Sequence, residues 1–445
     1  MRLARNILTT FSARLALLGV SLISSVVLAR YLGPEGRGLF ALVLLLPELA
    51  RSLALLGFEQ ANAVYAGLEP RGRRALVWQS VATAGVVGGT IAASTAVFLA
   101  LGAPGFPTLL RGSLWLYLLP VAGLPIALLI EYWQAIIRGM NHIFLLNAEE
   151  VAAKIASLIL VLMFVVWWRL GVAGAVWANF ITTVGTLLAL LGLLIYVRAW
   201  GNPSFDLKLW RRITRFALPA HGGTVAAYLN YRVDEIIVAV LLPPAQLGFY
   251  VIATGLAERI WLLPGSVATA LLPHLSNTPD RDRAFSAAIA RHLMIWVGAA
   301  CLLLWVSASF AVKLLYSSEF SPVVPALRWL LPGIFTLSIG KVLVAELLAQ
   351  EKPSYTIWAS GAAGLVNIAA NLVLVPRLGI TGASLASSIS YTLLSFILTW
   401  SYLRETGLSW AVLVPRLSDL KFYSTVWRRS VVAAPVGGTP GGNRP

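Results

Sequence analysis

The chain has 445 residues, of which 58% are hydrophobic and 12% charged, with a net charge of +16 and a mean hydropathy of +0.81. A soluble globular protein carries roughly 25% charged and 45–50% apolar residues, so a soluble domain is excluded, and the long continuous apolar runs argue against a barrel of alternating strands. The basic residues sit mainly in short loops between these runs, which fits membrane topology better than a nucleic-acid surface. Cys301 is the single cysteine and can form no internal disulfide, and the four scattered histidines show no metal-ligand spacing.

About 20 apolar residues cross the hydrocarbon core of a bilayer. On that length twelve helices are predicted, at 7–32, 39–65, 76–101, 113–137, 150–168, 171–197, 213–242, 246–272, 286–312, 324–349, 354–375 and 379–403. The fold class is all-α integral membrane. The first run has the basic start of a secretory signal, but Arg14 interrupts it and no small-residue cleavage site follows, so it is expected to span.

Of the 34 basic residues, six fall in the loops on one side (Arg30, Arg37, Arg111, Arg169, Lys313, Arg377) and seven lie within helices. The remaining 21 fall in the loops and tails on the other side, including Arg71, Arg73, Arg74, Arg211, Arg212, Arg281 and Arg283. The positive-inside rule then places both termini in the cytoplasm. Residues 405–445 form a tail in two parts. "WAVLVPRLSDLKFYSTVWRR" has the apolar, aromatic and basic character of a segment lying on an anionic leaflet, or equally of a solvated tail, and "APVGGTPGGNRP" is low-complexity.

Three pairs of segments recur in order. "LGPEGRGLFALV" from Leu32 and "LPPAQLGFYVIA" from Leu242 align Gly38 with Gly248, a shift of 210. Leu118–Pro120 recurs at Leu330–Pro332, and "LGVAGAVWAN" from Leu170 as "LGITGASLAS" from Leu378. The chain therefore reads as two six-helix lobes, 1–200 and 201–404, related by a pseudo-twofold axis along the membrane normal. Such repeats place a substrate site at their interface and alternate its access by rocking.

A charge at membrane depth costs at least ~2.5–3.5 kcal/mol. Lys154 and Arg328, near predicted helix ends, are expected to snorkel, and Arg14 lies two turns inside the first helix. Arg51, Arg232, Arg259 and Lys341 are deeper, with Glu48, Asp234, Glu235 and Glu258 as acidic companions. The repeat shift carries Glu48 onto Glu258, which concentrates charge in the first two helices of each half; Lys341 is the exception. Glu48–Arg51 and Arg232–Glu235 have the i,i+3 spacing of a local pair. Asp234 has no basic partner on its own helix, which makes it the candidate acid for proton or cation coupling. Gln60, Asn62, Gln134, Asn179, Asn230, Asn367 and Asn371 could contact a sugar or join helices. Neither a phosphate loop of the GxxxxGK[ST] type nor a nucleophile elbow is present, so no catalysis, cofactor or metal is expected.

"ARYLGPEGRGLFALVLLLPELARSLALLGFEQANAVY", "YLNYRVDEIIVAVLLPPAQLGFYVIATGLAERIWLLPGSVATALLPHLS" and "LGITGASLASSISY" resemble the Wzx-like oligosaccharide flippases of bacterial polysaccharide biosynthesis, in the multidrug/oligosaccharidyl-lipid/polysaccharide superfamily. The resemblance implies an inner-membrane protein moving an undecaprenyl-pyrophosphate-linked oligosaccharide to the outer leaflet through a cationic cavity. Arg51, Arg232 and Arg259 would line it, with Arg14 at its cytoplasmic mouth. Asp234 or Glu258 would couple to protons or cations, and a polymerase and glycosyltransferases are the expected partners. The four acids leave open how cationic the cavity is. A peptidoglycan-precursor flippase, a multidrug/cation antiporter and a membrane scaffold are the alternatives.

Overall fold

A computed structural model describes residues 2–103, 113–276, 284–350 and 352–416. The expected loop cations Arg111, Arg281 and Arg283 and the tail beyond 416 lie outside the described residues, which contain helices and no strand. α1 and α2 are the two arms of the run Arg2–Ala54, divided at Gly33 (φ 68°, ψ 179°). α2 resumes as Phe58–Leu68 after a turn. The first half is completed by α3 (Pro70–Ala100), α4 (Leu114–Gly139), α5 (Ile143–Trp167) and α6 (Gly171–Tyr196). α7 (Leu207–Leu241) opens the second half. α8 runs Pro244–Glu258, then through a 3₁₀ turn at Arg259–Trp261 into Leu262–Ser276. α9 (Phe285–Tyr316), α10 (Val323–Ala349), α11 (Pro353–Leu378) and α12 (Ile380–Thr406) follow.

Nine segments among the described residues are long and apolar enough to cross a membrane. The first contains both α1 and α2, and α7 and α8 reach spanning length with more polar groups, which gives the expected twelve spans. Several helices start earlier than their hydropathy suggests, α5 and α7 among them. The Asp206 carboxylate caps α7 by accepting from the Lys208 and Leu209 N–H groups at 2.9 and 3.1 Å, starting it at 207 instead of 213. α5 begins at Ile143 instead of 150, because Glu149 and Glu150 lower the hydropathy of its first turns without interrupting the helix.

Apolar packing shows where the halves join. One cluster draws buried residues from both: Leu42 and Val43 of α2, Tyr117 of α4 and Val176 of α6 with Tyr250 of α8, Val312 of α9 and Leu331 of α10. Toward the end that carries the termini the packing divides into a cluster from 54–217 and another from 271–413. The shared cluster is centred where α2 crosses α8. A Cβ on Gly38 would stand 1.6 Å from the Pro244 carbonyl oxygen, and one on Gly248 would stand 2.3 Å from that of Pro34. Gly248 lies 210 residues after Gly38 and Pro244 lies 210 after Pro34, so the repeat found in the sequence meets itself here across the pseudo-twofold axis. Gly171 and Gly379, which open α6 and α12, share a φ of 59° and repeat the symmetry at the far turns.

Further contacts tie this end together. Arg30 at the end of α1 donates to the Leu315 and Leu314 carbonyls at 2.7 and 2.5 Å, placing a cation on the carbonyl end of α9. Arg37, expected in a loop, instead sits in the opening turns of α2 over the Phe40 ring at 5.8 Å. α7 belongs to both halves. Leu209, Ile213 and Ala217 pack in the first half, whereas Val238 and Ala239 lie in the shared cluster.

Because no side chain fits at the crossing, Gly38→Val should force α2 and α8 apart, at the ~1–3 kcal/mol typical of overpacking. Hydrogen exchange of the amides in 34–45 and 244–256 should rise together in the variant; unchanged protection would refute the crossing as the seal.

Candidate functional site

The polar side chains of the spanning helices collect on two facing walls. On the first half, a cavity of about 450 Å³ is lined by Ser21 of α1, Gln134 of α4, Glu149, Glu150 and Lys154 of α5, and Asn179 and Thr183 of α6. A cleft of about 260 Å³ adjoins it, sharing Ile130, Asn179 and Thr183 and adding Glu48, Arg51 and Glu131. Arg51 is held twice. Its Nη2 and Nε reach Glu48 at 2.5 and 3.2 Å, and its Nη1 reaches Glu131 at 2.5 Å. The first contact is the i,i+3 pair read from the sequence. Glu131, 80 residues away, was missed because nothing local points to it.

The second half mirrors this arrangement. Arg232 of α7 pairs with Glu235 at 2.5 Å and lies 3.5 Å from Glu258 of α8. In each half, therefore, one arginine is neutralised by an acid on its own helix and another on a neighbouring helix. Asp234 takes a different course. It is 1% exposed and accepts from Ser387 Oγ of α12 at 2.7 Å, from the Glu235 N–H at 2.8 Å and from the Tyr250 hydroxyl of α8. The partner absent from its own helix is thus a ring of neutral donors inside the second half, and three donors satisfy most of a carboxylate's acceptor capacity.

Other cations are left without an acid. Among the described residues, Arg14, Lys154, Arg259 and Lys341 have no carboxylate within 4.0 Å. Arg14 of α1 donates to Ser266 Oγ of α8 at 3.3 Å, a contact between the halves. Arg259 donates to the Gly255 carbonyl of its own helix and lies within electrostatic reach of Lys154 on the opposite wall. Lys341 of α10 rests over Trp261 at 4.2 Å and Tyr231 at 5.2 Å, which places its charge against aromatic faces. Lys154, expected near a helix end, lies three turns inside α5, which starts at 143, and lines the cavity.

The amides sort by place. Gln134 and Asn179 face the cavity. Asn62 donates to Ser80 Oγ at 3.0 Å, and Asn367 to the Asn230 carbonyl at 2.9 Å, joining helices. Asn371 in turn donates to the Asn367 carbonyl at 2.9 Å.

This site lies on a fold and a sequence with clear relatives. A model described as polysaccharide biosynthesis protein matches residues 3–279. The chain belongs to this family. Within the range of named relatives, it is 23% identical over 351 residues to the succinoglycan biosynthesis transport protein ExoT of Rhizobium meliloti, covering 76% of this chain and 66% of that protein. It is 21% identical over 219 residues to a probable low-salt glycan biosynthesis flippase, Agl15, of Haloferax volcanii, covering 46% of each. The chain thus spans just under two thirds and about half of these relatives. In fold it is similar to the lipid II flippase MurJ in an inward closed conformation, with a TM-score of 0.77 and 14% identity over 96% of this chain and 93% of that one. An inward-facing multidrug transporter of the MATE family and MOP superfamily superimposes with a TM-score of 0.69, also at 14% identity, over 90% and 98% of the two chains. The family member is a multi-pass membrane protein of the MOP fold.

The donors around Asp234 generate a stability prediction. Ser387→Ala should destabilise the detergent-purified protein by about 1.5–3 kcal/mol, the worth of a hydrogen bond to a charged group. In an Asp234→Asn background the same change should cost clearly less. Equal costs in both backgrounds, read from thermal unfolding, would show that the serine does not act through Asp234.

Proposed function

We propose that this family member translocates an oligosaccharide linked to a polyprenyl pyrophosphate, such as undecaprenyl pyrophosphate, from the cytoplasmic to the outer leaflet of a bacterial inner membrane. The observation that carries the reading is the set of cations without carboxylates on both facing walls: Lys154 on the first half, Arg259 on the second, and Arg14 where the halves touch. A pyrophosphate that joins a lipid to a sugar is doubly charged and rich in acceptors, and guanidinium and ammonium groups meet it through charge-assisted hydrogen bonds. Arg51 and Arg232, each already bonded to two acids, would shape the walls and hold the local charge balance. Gln134 and Asn179 beside Lys154 offer donors and acceptors to sugar hydroxyls.

The names of the relatives support the reading, since one is a succinoglycan transport protein and the other a probable glycan flippase. Closure at the α2–α8 crossing and division of the apolar packing toward the termini support alternating access, with the termini in the cytoplasm as the basic loops require. Multidrug resistance is the use named for one structural relative, but a cationic drug would be repelled by unpaired cations on both walls.

In proteoliposomes carrying a fluorescent polyprenyl-pyrophosphate oligosaccharide, Arg259→Ala and Lys154→Ala should each slow translocation about tenfold or more, from the loss of a charged hydrogen bond. Arg259→Lys should recover part of the rate. Wild-type rates in both alanine variants would sink the proposal, and uptake of a cationic dye in place of the lipid would favour drug transport.

A further inference from the structure

The translocation reading gives no role to one buried acid. Glu149 is 8% exposed and lines the first half's cavity, yet among the described residues neither of its carboxylate oxygens has a partner in full hydrogen-bond geometry. The Gln134 amide of α4 is near enough to act on it as a weak donor, though it falls outside strict hydrogen-bond geometry. A buried ionised carboxylate with no donor is strongly disfavoured, and such a group neutralises instead.

The surroundings reinforce this. Glu150, its neighbour along α5, adds a like charge. Lys154, on the next turn of α5, has no carboxylate within 4.0 Å among the described residues and interacts electrostatically with Arg259 of the opposite wall. The charged groups acting from neighbouring helices, Arg138 and Glu131 of α4 and Arg14 of α1, bear on Glu150. α6 contributes Asn179 and threonines, without charge. Asp234 differs in geometry: three donors already meet its carboxyl oxygens.

We propose that Glu149 is the group that binds and releases a proton in the working cycle. It is neutral as Glu149–COOH in the conformation described here. It becomes Glu149–COO⁻ by giving its proton to water when the walls rearrange and water reaches the carboxyl, whose oxygens are covered here. A proton gradient would thereby bias which conformation is populated. The coupling role rests on the translocation reading; the proton site does not.

The test has two arms. In the first, infrared difference spectra of the purified protein in lipid nanodiscs are recorded across a pH series, following the C=O stretch of protonated carboxylic acids. A pH-dependent band should appear in the wild type and in Asp234→Asn, and should be lost in Glu149→Gln. The neutral amide mimics the protonated form, so Glu149→Gln should fold and remain monodisperse. A band that persists in Glu149→Gln overturns the proposal. So does failure of that variant to fold, since an anion would then be required. Loss of the wild-type band on adding sodium at constant pH also overturns it, because the carboxylate would then be taking a metal cation. In the second arm, the ratio of translocation with and without an imposed proton gradient should exceed one in the wild type and fall to one in Glu149→Gln. A ratio unchanged by the substitution overturns the coupling role. A wild type that shows the band but moves no lipid-linked oligosaccharide would refute the translocation reading and leave the proton site standing.

Discussion

Two helices approach backbone to backbone where a glycine leaves room, and Gly38 and Gly248 provide that room where the two halves cross. Their contact places α2 and α8 together on the pseudo-twofold axis and sets the depth of everything that follows along them. Glu48 and Glu258 each lie ten residues beyond their glycine, about 15 Å along a helix, so the charged level of both halves hangs at the same distance from the crossing. A seal made from backbone contact also needs no polar groups of its own, which leaves the charges free to face the gap.

The charges there follow from the cost of ionised groups in a low-dielectric setting. Arg51 and Arg232 each carry two acids, an arrangement that is internally balanced and gives little to a ligand. Arg14, Lys154 and Arg259 lack such partners and are distributed over both halves and their junction. The distinction between the two kinds of cation decides how the site is read, since counting arginines and glutamates alone makes the gap look nearly neutral.

Much of this could be read from the residues in order. Span number followed from apolar run length, and the glycine alignment followed from three weak repeats whose shifts agreed. The i,i+3 pairs at Glu48–Arg51 and Arg232–Glu235 were local and therefore visible. What stayed hidden was tertiary. Glu131 reaches Arg51 from another helix, and Tyr250 and Ser387 reach Asp234 from two more. Lys154 was assigned to a helix end because acids in the preceding turn depress hydropathy, a measure that locates apolar stretches and is blind to a helix that continues through polar ones. Arg37 was assigned to a loop for a related reason: the fold at Gly33 is a single residue, and the chain is helical on both sides of it.

The path of α7 bears on how the halves can move. Its first turns pack against the first half, where Ala217 meets Gly57 and His221 bonds the Leu53 carbonyl at 3.1 Å. Its later turns carry Asn230 and Asp234 into the second half. One continuous rod is thus anchored in both bodies, with Pro219 inside the first anchorage and the span from 222 to 229 between the two. Rocking cannot then be the free swing of two lobes on a slack tether. It must load this rod in bending or torsion, so the rod acts as a leaf spring whose stiffness enters the energy difference between the two facing states.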